Sequence, residues 1–212
     1  MKSSINDIVA ASIGYQHREP IEQSSVGSCR AIQIKDIDRD GRFAEFFPTP
    51  APYRLWTGSL YSVTPKGDAE RYRVHPGDVL FLSRGHRNFA IPMSPAYVQP
   101  FPESWKDIIA LYYFYILQIK TPQTITPEYL AWYINQSAAQ KYFETNARGS
   151  HMKMVPLEVF NGLEVAVPPL ATQKKIVELE QLRQKEEKAL TQLMSARKKL
   201  IQSVSFKATR QH

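Results

Sequence analysis

The chain has 212 residues, 43% of them hydrophobic, 22% charged and 11% aromatic. That balance fits a folded domain with a sizeable core and excludes disorder over most of the length. The most apolar stretch, 108–119, is far short of the roughly 20 residues a membrane-spanning helix needs. The opening MKSSINDIVA carries Asp7 and no long apolar run, so it does not read as a secretory signal. The single cysteine, Cys29, can form neither an internal disulfide nor a structural zinc site, and a cytoplasmic protein is expected. The net charge is +7 but unevenly spread: residues 169–212 hold ten Lys/Arg and four Asp/Glu, residues 1–168 seventeen and sixteen. A basic balance suggests a polyanionic partner, yet any basic surface on the larger part must be local.

Residues 1–168 are rich in Pro, Tyr and short β-like runs. Strands are expected at Ala31-Ile32-Gln33-Ile34, at Val79-Leu80-Phe81-Leu82 and through Ala110-Leu111-Tyr112-Tyr113-Phe114-Tyr115-Ile116. Turn signals Asp40-Gly41 and Pro76-Gly77-Asp78 punctuate them. The aromatic cluster Tyr112 to Tyr115 reads as buried strand rather than as a stacking platform, because its apolar run is dense. A helix is predicted after Thr126, a capping residue, with Pro127 at the favoured first position and Leu130, Tyr133, Ile134 and Ala138 on one face; Gly149 lies beyond it. A last strand over 163–167 completes an α+β domain.

After Pro168-Pro169 the character changes. From Leu170 to about Val204 there is neither Gly nor Pro, and Glu, Gln, Lys, Leu and Ala dominate, which favours one long helix of roughly 50 Å. Ile176, Leu179, Leu190, Leu193, Leu200 and Val204 fall at steps of three and four residues or their multiples. Arg183, Glu186 and Arg197 fill the intervening positions of the seam. Such a face is suited to pairing with another helix. The expected division is a domain over 1–168, a spacer or dimerisation helix over 169–206 and a tail over 207–212.

Traces of catalysis are missing from the sequence. There is no GxGxxG, Walker loop or GxSxG. Val167-Pro168-Pro169-Leu170 lacks the leading amide or acid and the aromatic of amino-methyltransferase motifs, and reads as a rigid hinge. Glu186-Glu187-Lys188 lies inside the long helix as an ordinary solvated face. His17, His75, His86, His151 and His212 have no metal-ligand spacing, and Cys29 has no catalytic partner nearby in sequence.

Several segments, taken in order, resemble the target-recognition domain of type I restriction–modification specificity subunits. They are Gly14-Tyr15-Gln16-His17-Arg18, with His17 where the family usually has Phe; Ile32-Gln33-Ile34-Lys35-Asp36-Ile37 followed by Asp40-Gly41; and Pro76-Gly77-Asp78-Val79-Leu80-Phe81-Leu82-Ser83-Arg84-Gly85. The helix Pro127-Glu128-Tyr129-Leu130-Ala131-Trp132-Tyr133-Ile134-Asn135 follows, then Gly149-Ser150, and finally the run from Leu163 through Pro168-Pro169 to Gln173-Lys174-Lys175-Ile176-Val177. The resemblance covers nearly the whole chain. It implies a non-catalytic subunit whose domain reads half of a split target in double-stranded DNA. Its helix would act as spacer and docking element for modification subunits, and in some assemblies a restriction subunit. S-adenosylmethionine is expected on the modification partner, with no cofactor or metal in this chain. Family members usually carry two recognition domains and two helices, whereas this sequence holds one of each. Pairing of two copies, or with a second half-subunit, is therefore expected.

Arg84, His86, Arg87 and Asn88 form the first candidate DNA contact, in a loop after an apolar strand, since Arg pairs with guanine and Asn with adenine; an internal pair between Arg84 and Asp78 is the alternative. Arg148, Ser150 and Lys153 form the second, with a helix C-terminus and its favourable cations as the alternative. Gln16, His17, Arg18 and Lys35 come third, Lys35-Asp36 also fitting a self-neutralised strand end. Two rival functions stay open: a helix-mediated adaptor that never touches DNA, and an enzyme with an unfamiliar motif.

Overall fold

The computed structural model describes residues 2–17, 27–38, 53–85, 87–149 and 153–208. The Asp40-Gly41 turn lies outside them. The central sheet has four antiparallel strands, β2 (Val9–Ile13), β11 (Phe114–Ile119), β7 (Val79–Leu82) and β8 (Ala90–Pro92), in that order. Both of its faces are covered, which explains apolar runs without alternation. From β7 and β11, Val79, Phe81, Tyr115 and Leu117 point into one core, while Leu80, Leu82, Phe114 and Ile116 point into another.

The first core lies between this sheet and a helical layer. That layer comprises α1 (Ile5–Ile8), α2 (Pro127–Ile134), α3 (Ser137–Asn146) and α4 (Leu157–Asn161). Thr126 caps α2 as expected, its hydroxyl accepting from Tyr129 N–H at 3.2 Å. The helix ends at Ile134, and a new one starts at Ser137, so Ala138 lies exposed on α3 rather than on the α2 face. The break has a use: the Asn135 side chain donates to Ala90 C=O at 2.9 Å and accepts from Ala90 N–H at 2.8 Å. It thereby satisfies both backbone groups of that residue on the outer strand β8.

The second core packs against two smaller sheets. One is β10 (Ile108–Ala110), β3 (Cys29–Ile32) and β6 (Tyr61–Val63), with β10 parallel to β3. The other is β4 (Ile37–Asp38), β5 (Arg54–Trp56) and β9 (Val98–Gln99). The predicted strand at 31–34 thus stops at Ile32, and Ile34 opens a 3-10 turn, Ile34–Asp36. The strand expected across 110–116 is two strands. Leu111-Tyr112-Tyr113-Phe114 is a reverse turn closed by Phe114 N–H to Leu111 C=O at 2.9 Å. No Gly or Pro marks it, so composition gave no sign of the break.

The N-terminal strand β1 (Lys2–Ser4) pairs antiparallel with β12 (Glu164–Ala166), the last strand before the long helix. That helix, α5 (Leu170–Ala208), has 39 residues and is about 58 Å long. Its first turns belong to the domain. Gln173 is fully buried and bonds Thr126 N–H at 3.0 Å, Thr124 C=O at 2.7 Å and Pro168 C=O at 2.7 Å. Ile176 and Val177 pack on the first core, and α2 contacts α5 along this stretch. Beyond residue 185 every described side chain of α5 is exposed.

Candidate nucleic-acid interface

The turn at Tyr112 and Tyr113 is a hub that joins segments far apart in sequence. Tyr112 N–H donates to Tyr15 C=O at 2.9 Å, which seats Gln16 and His17 beside it. Ser83 donates twice to Tyr113 C=O, from its N–H at 2.9 Å and its hydroxyl at 3.0 Å, so the end of β7 and the following Arg84 sit on the other side. Gly85 N–H then donates to Lys153 C=O at 3.1 Å, and Met154 bridges both Arg84 and Arg148. Gln16 and His17, Arg84, and Arg148 with Lys153 therefore meet at one end of the central sheet, beyond Ile13, Phe114 and Leu82.

Two glycines make this possible. A Cβ on Gly14 would lie 2.6 Å from the Ala110 carbonyl oxygen, so only glycine lets β2 cross the end of β10. Gly85 adopts φ 156°, where its backbone turns toward Lys153.

The side chains at the hub are cationic and aromatic. The Arg84 guanidinium lies over the Tyr112 ring, 5.2 Å from its centroid. The Tyr112 and Tyr113 rings are 4.0 Å apart, and both are half-buried. A hydrogen bond with the Tyr112 side chain, then burial, pushes the Tyr113 phenol above its usual range. Arg84 forms no ion pair among the described residues, and Asp78 is engaged elsewhere: its carboxylate accepts from His75 N–H at 2.7 Å. Arg87 and Lys153 are exposed. Arg148 is exposed too and pairs with Glu158 at 2.9 Å, a contact worth little in water. His17 stands edge-on to Tyr15, with ring centroids 6.0 Å apart.

Lys35 reaches the same region by another route. Because β3 and β10 are parallel, their C-terminal ends coincide, and Leu111 N–H donates to Ile32 C=O at 3.2 Å. Lys35 follows directly and lies over the Tyr61 ring. Asp36 does not simply neutralise it: the Asp36 carboxylate is buried and accepts from Gln33 N–H at 2.8 Å.

Asn88 is placed inside. It is buried, and its amide donates to Leu82 C=O at 2.9 Å, so it shapes the loop that carries Arg84 and Arg87 instead of facing outward. Arg18, His86 and Ser150 lie outside the described residues.

Sequence reasoning missed Tyr112 and Tyr113, which it assigned to strand core, and Lys66, Arg71 and Tyr72. Lys66 N–H donates to the Tyr15 hydroxyl at 2.9 Å, and Tyr72 packs edge-on to Tyr15 at 5.2 Å with Arg71 over its face. Their only sequence signal was the alternation of Arg and Tyr over 71–73, which is weak by itself. Such a surface offers guanidinium and ammonium donors for phosphates and base edges, and aromatic faces that hold those donors in place. Among the described residues no group of three or more His, Cys, Asp or Glu is placed to hold a metal ion, and no helix is long and apolar enough to cross a membrane.

The architecture is that of a specificity-subunit recognition domain with its long helix. It is similar to the crystal structure of the type I restriction–modification system S subunit from M. genitalium, with a TM-score of 0.52 at 11% sequence identity. The likeness covers 94% of this chain and 42% of that one, so the chain spans less than half the length of the structure it matches. Residues 29–202 match the family described as type I restriction modification DNA specificity domain, and the chain belongs to that family. None of the curated proteins matches it.

Proposed function

We propose that this chain is the DNA sequence-recognition subunit that directs a type I restriction–modification adenine methyltransferase, and its endonuclease, to a split DNA target. The observation that carries the proposal is the convergence of Gln16, Arg84, Arg87, Arg148 and Lys153 on the Tyr112 hub. Arg84, Arg87, Arg148 and Lys153 supply the positive charge there, on a domain whose overall excess is only +1 over residues 1–168. A local basic, aromatic-backed edge on a nearly neutral body is what sequence reading requires, because base contacts specify while phosphate contacts position.

Chemistry belongs to the partner in this reading. Modification subunits bind S-adenosylmethionine and methylate a flipped adenine, while this chain binds DNA and holds those subunits through α5. The exposed outer half of α5 is the assembly element, pairing with a second copy or a second half-subunit. Reconstitution tests the reading: the chain mixed with its modification subunit, S-adenosylmethionine and duplex DNA is expected to yield sequence-specific methylation. The chain by itself is expected to yield none, and methyl transfer by the isolated chain would contradict the proposal.

A further inference from the structure

The small sheet of β10, β3 and β6 has two unlike faces. Ile32, Ile108 and Ala110 point into the second core, while Cys29, Ala31, Val63, Ile109 and Leu111 point the other way. That outer face is covered by Tyr15, with Tyr72, Tyr113 and Ala69 packed beside it. The connection between β6 and β7 is held there at both ends. Lys66 N–H donates to the Tyr15 hydroxyl at 2.9 Å. Arg73 bridges Ile109, and Val74 N–H donates to Ile108 C=O at 3.0 Å.

Between these anchors the 3-10 turn Glu70–Tyr72 carries Arg71, whose guanidinium lies over the Tyr72 ring, 5.2 Å from its centroid. Lys66 and Arg71 are exposed, and neither forms an ion pair among the described residues. The acids beside them are engaged: Glu70 pairs with Arg73, and Asp68 accepts from Glu70 N–H at 2.9 Å. Two cations on an anchored backbone are thus left for an outside partner. Tyr15 joins them to the hub, since its C=O accepts from Tyr112 N–H while its hydroxyl accepts from Lys66 N–H. The basic, aromatic-backed surface therefore continues from Arg84 onto the outer face of the small sheet. Its chemistry there suits phosphates. Lys66 is a single ammonium on a flexible stem, and residues 64–74 include no Asn or Gln to read adenine.

We propose that Lys66 and Arg71 hold backbone phosphates of the DNA flanking the bases read at the hub, so that this outer face sets how the duplex lies across the domain. This rests on the reading function proposed above and extends the bound stretch of DNA beyond it. Phosphate contacts position without specifying, so these two contribute equally on every sequence.

The test measures binding of the full chain to a duplex carrying the methylated motif and to one of unrelated sequence, across a salt series. Lys66→Ala and Arg71→Ala are each expected to weaken both duplexes alike, about three- to tenfold at about 0.1 M salt. Each is expected to lower the slope of log K against log salt by about one, and the double variant by about two. Lys66→Arg and Arg71→Lys keep the charge and are expected to keep the slope. Lys141→Ala removes an exposed cation from α3, on the opposite face of the central sheet, and is expected to leave the slope unchanged. Unchanged slopes in both alanine variants, while Arg84→Ala still costs specificity, would overturn this inference and leave the reading function standing. An equal drop with Lys141→Ala would overturn it too, as an effect of net charge alone. A loss confined to the methylated motif would make the two residues base readers, and intact slopes with lost binding of the modification subunit would give the face to a protein; either result contradicts the phosphate role. Duplex binding with no salt dependence in the unaltered chain would overturn both proposals.

Discussion

The Arg84 guanidinium lies over the ring of Tyr112, and the Tyr112 backbone is bonded to Tyr15. One cation is thus aimed by an aromatic face in a turn that also fixes the Gln16–His17 segment. Arg84→Ala is expected to weaken specific DNA binding by about 1–3 kcal/mol, as for loss of a base-reading arginine. Tyr112→Ala is expected to cost about 0.5–1 kcal/mol through the lost cation–π contact, with Tyr112→Phe close to the unaltered protein. Affinity for cognate against unrelated duplex is the measurement. Unchanged affinity for both Arg84→Ala and Arg87→Ala would place the reading surface elsewhere.

Lys153 differs in kind from Arg84. It is exposed and stands at the margin of the hub, so its expected contact is a phosphate. Lys153→Ala should weaken binding about equally on all sequences and lower the slope of log K against log salt by about one. A change confined to the cognate sequence would instead make it a base reader.

Asn135 stands in for a missing neighbour strand along β8. Asn135→Ala leaves the N–H and C=O of buried Ala90 without partners, and is expected to lower folding stability by about 2–3 kcal/mol. Denaturant titration measures it. Asn135→Asp restores the acceptor for the N–H but offers the C=O no donor, so it should recover only part of the loss.

Asp78 gives a pH signature. Burial raises its carboxyl from 3.8 to about 6, against the opposing hydrogen bond and charge of His75. The folded state therefore holds its proton to higher pH than the unfolded chain. The stability this contributes is full below about pH 4 and is lost as pH rises through about 6. Asp78→Asn removes the ionisation, so the stability of the unaltered protein relative to the variant should fall between about pH 4 and 6, by up to roughly 3 kcal/mol. A difference that stays flat over that range would contradict the assignment. Buried Asp36, also raised by burial to about 6, adds a second contribution of the same sign.

Much of the architecture was legible in the residues. The apolar run of β7, the Thr126-Pro127 start of α2 and the Gly/Pro-free composition of α5 follow from local rules that tertiary contacts reinforce. The break at Tyr112 was not legible, since an apolar β-like run with no Gly or Pro has no local reason to turn. Its turn is imposed by β10 and β11 joining different sheets. Inward placement of Asn88 was hidden for a similar reason: a polar residue in a basic loop looks like a contact until the neighbouring Leu82 carbonyl is seen to need a donor. The first turns of α5 are likewise part of the core through Gln173, a polar residue that no hydrophobic pattern would select.

We propose that this chain chooses the DNA sequence its methyltransferase modifies. Mapping methylated adenines in cells that carry the modification subunit, with the chain present, deleted or altered at Arg84, tests it most directly. Methylation is expected at one split motif, symmetric if α5 pairs two copies, that disappears on deletion and is lost or relaxed with Arg84→Ala. Methylation of the same motif in the deleted strain would contradict it.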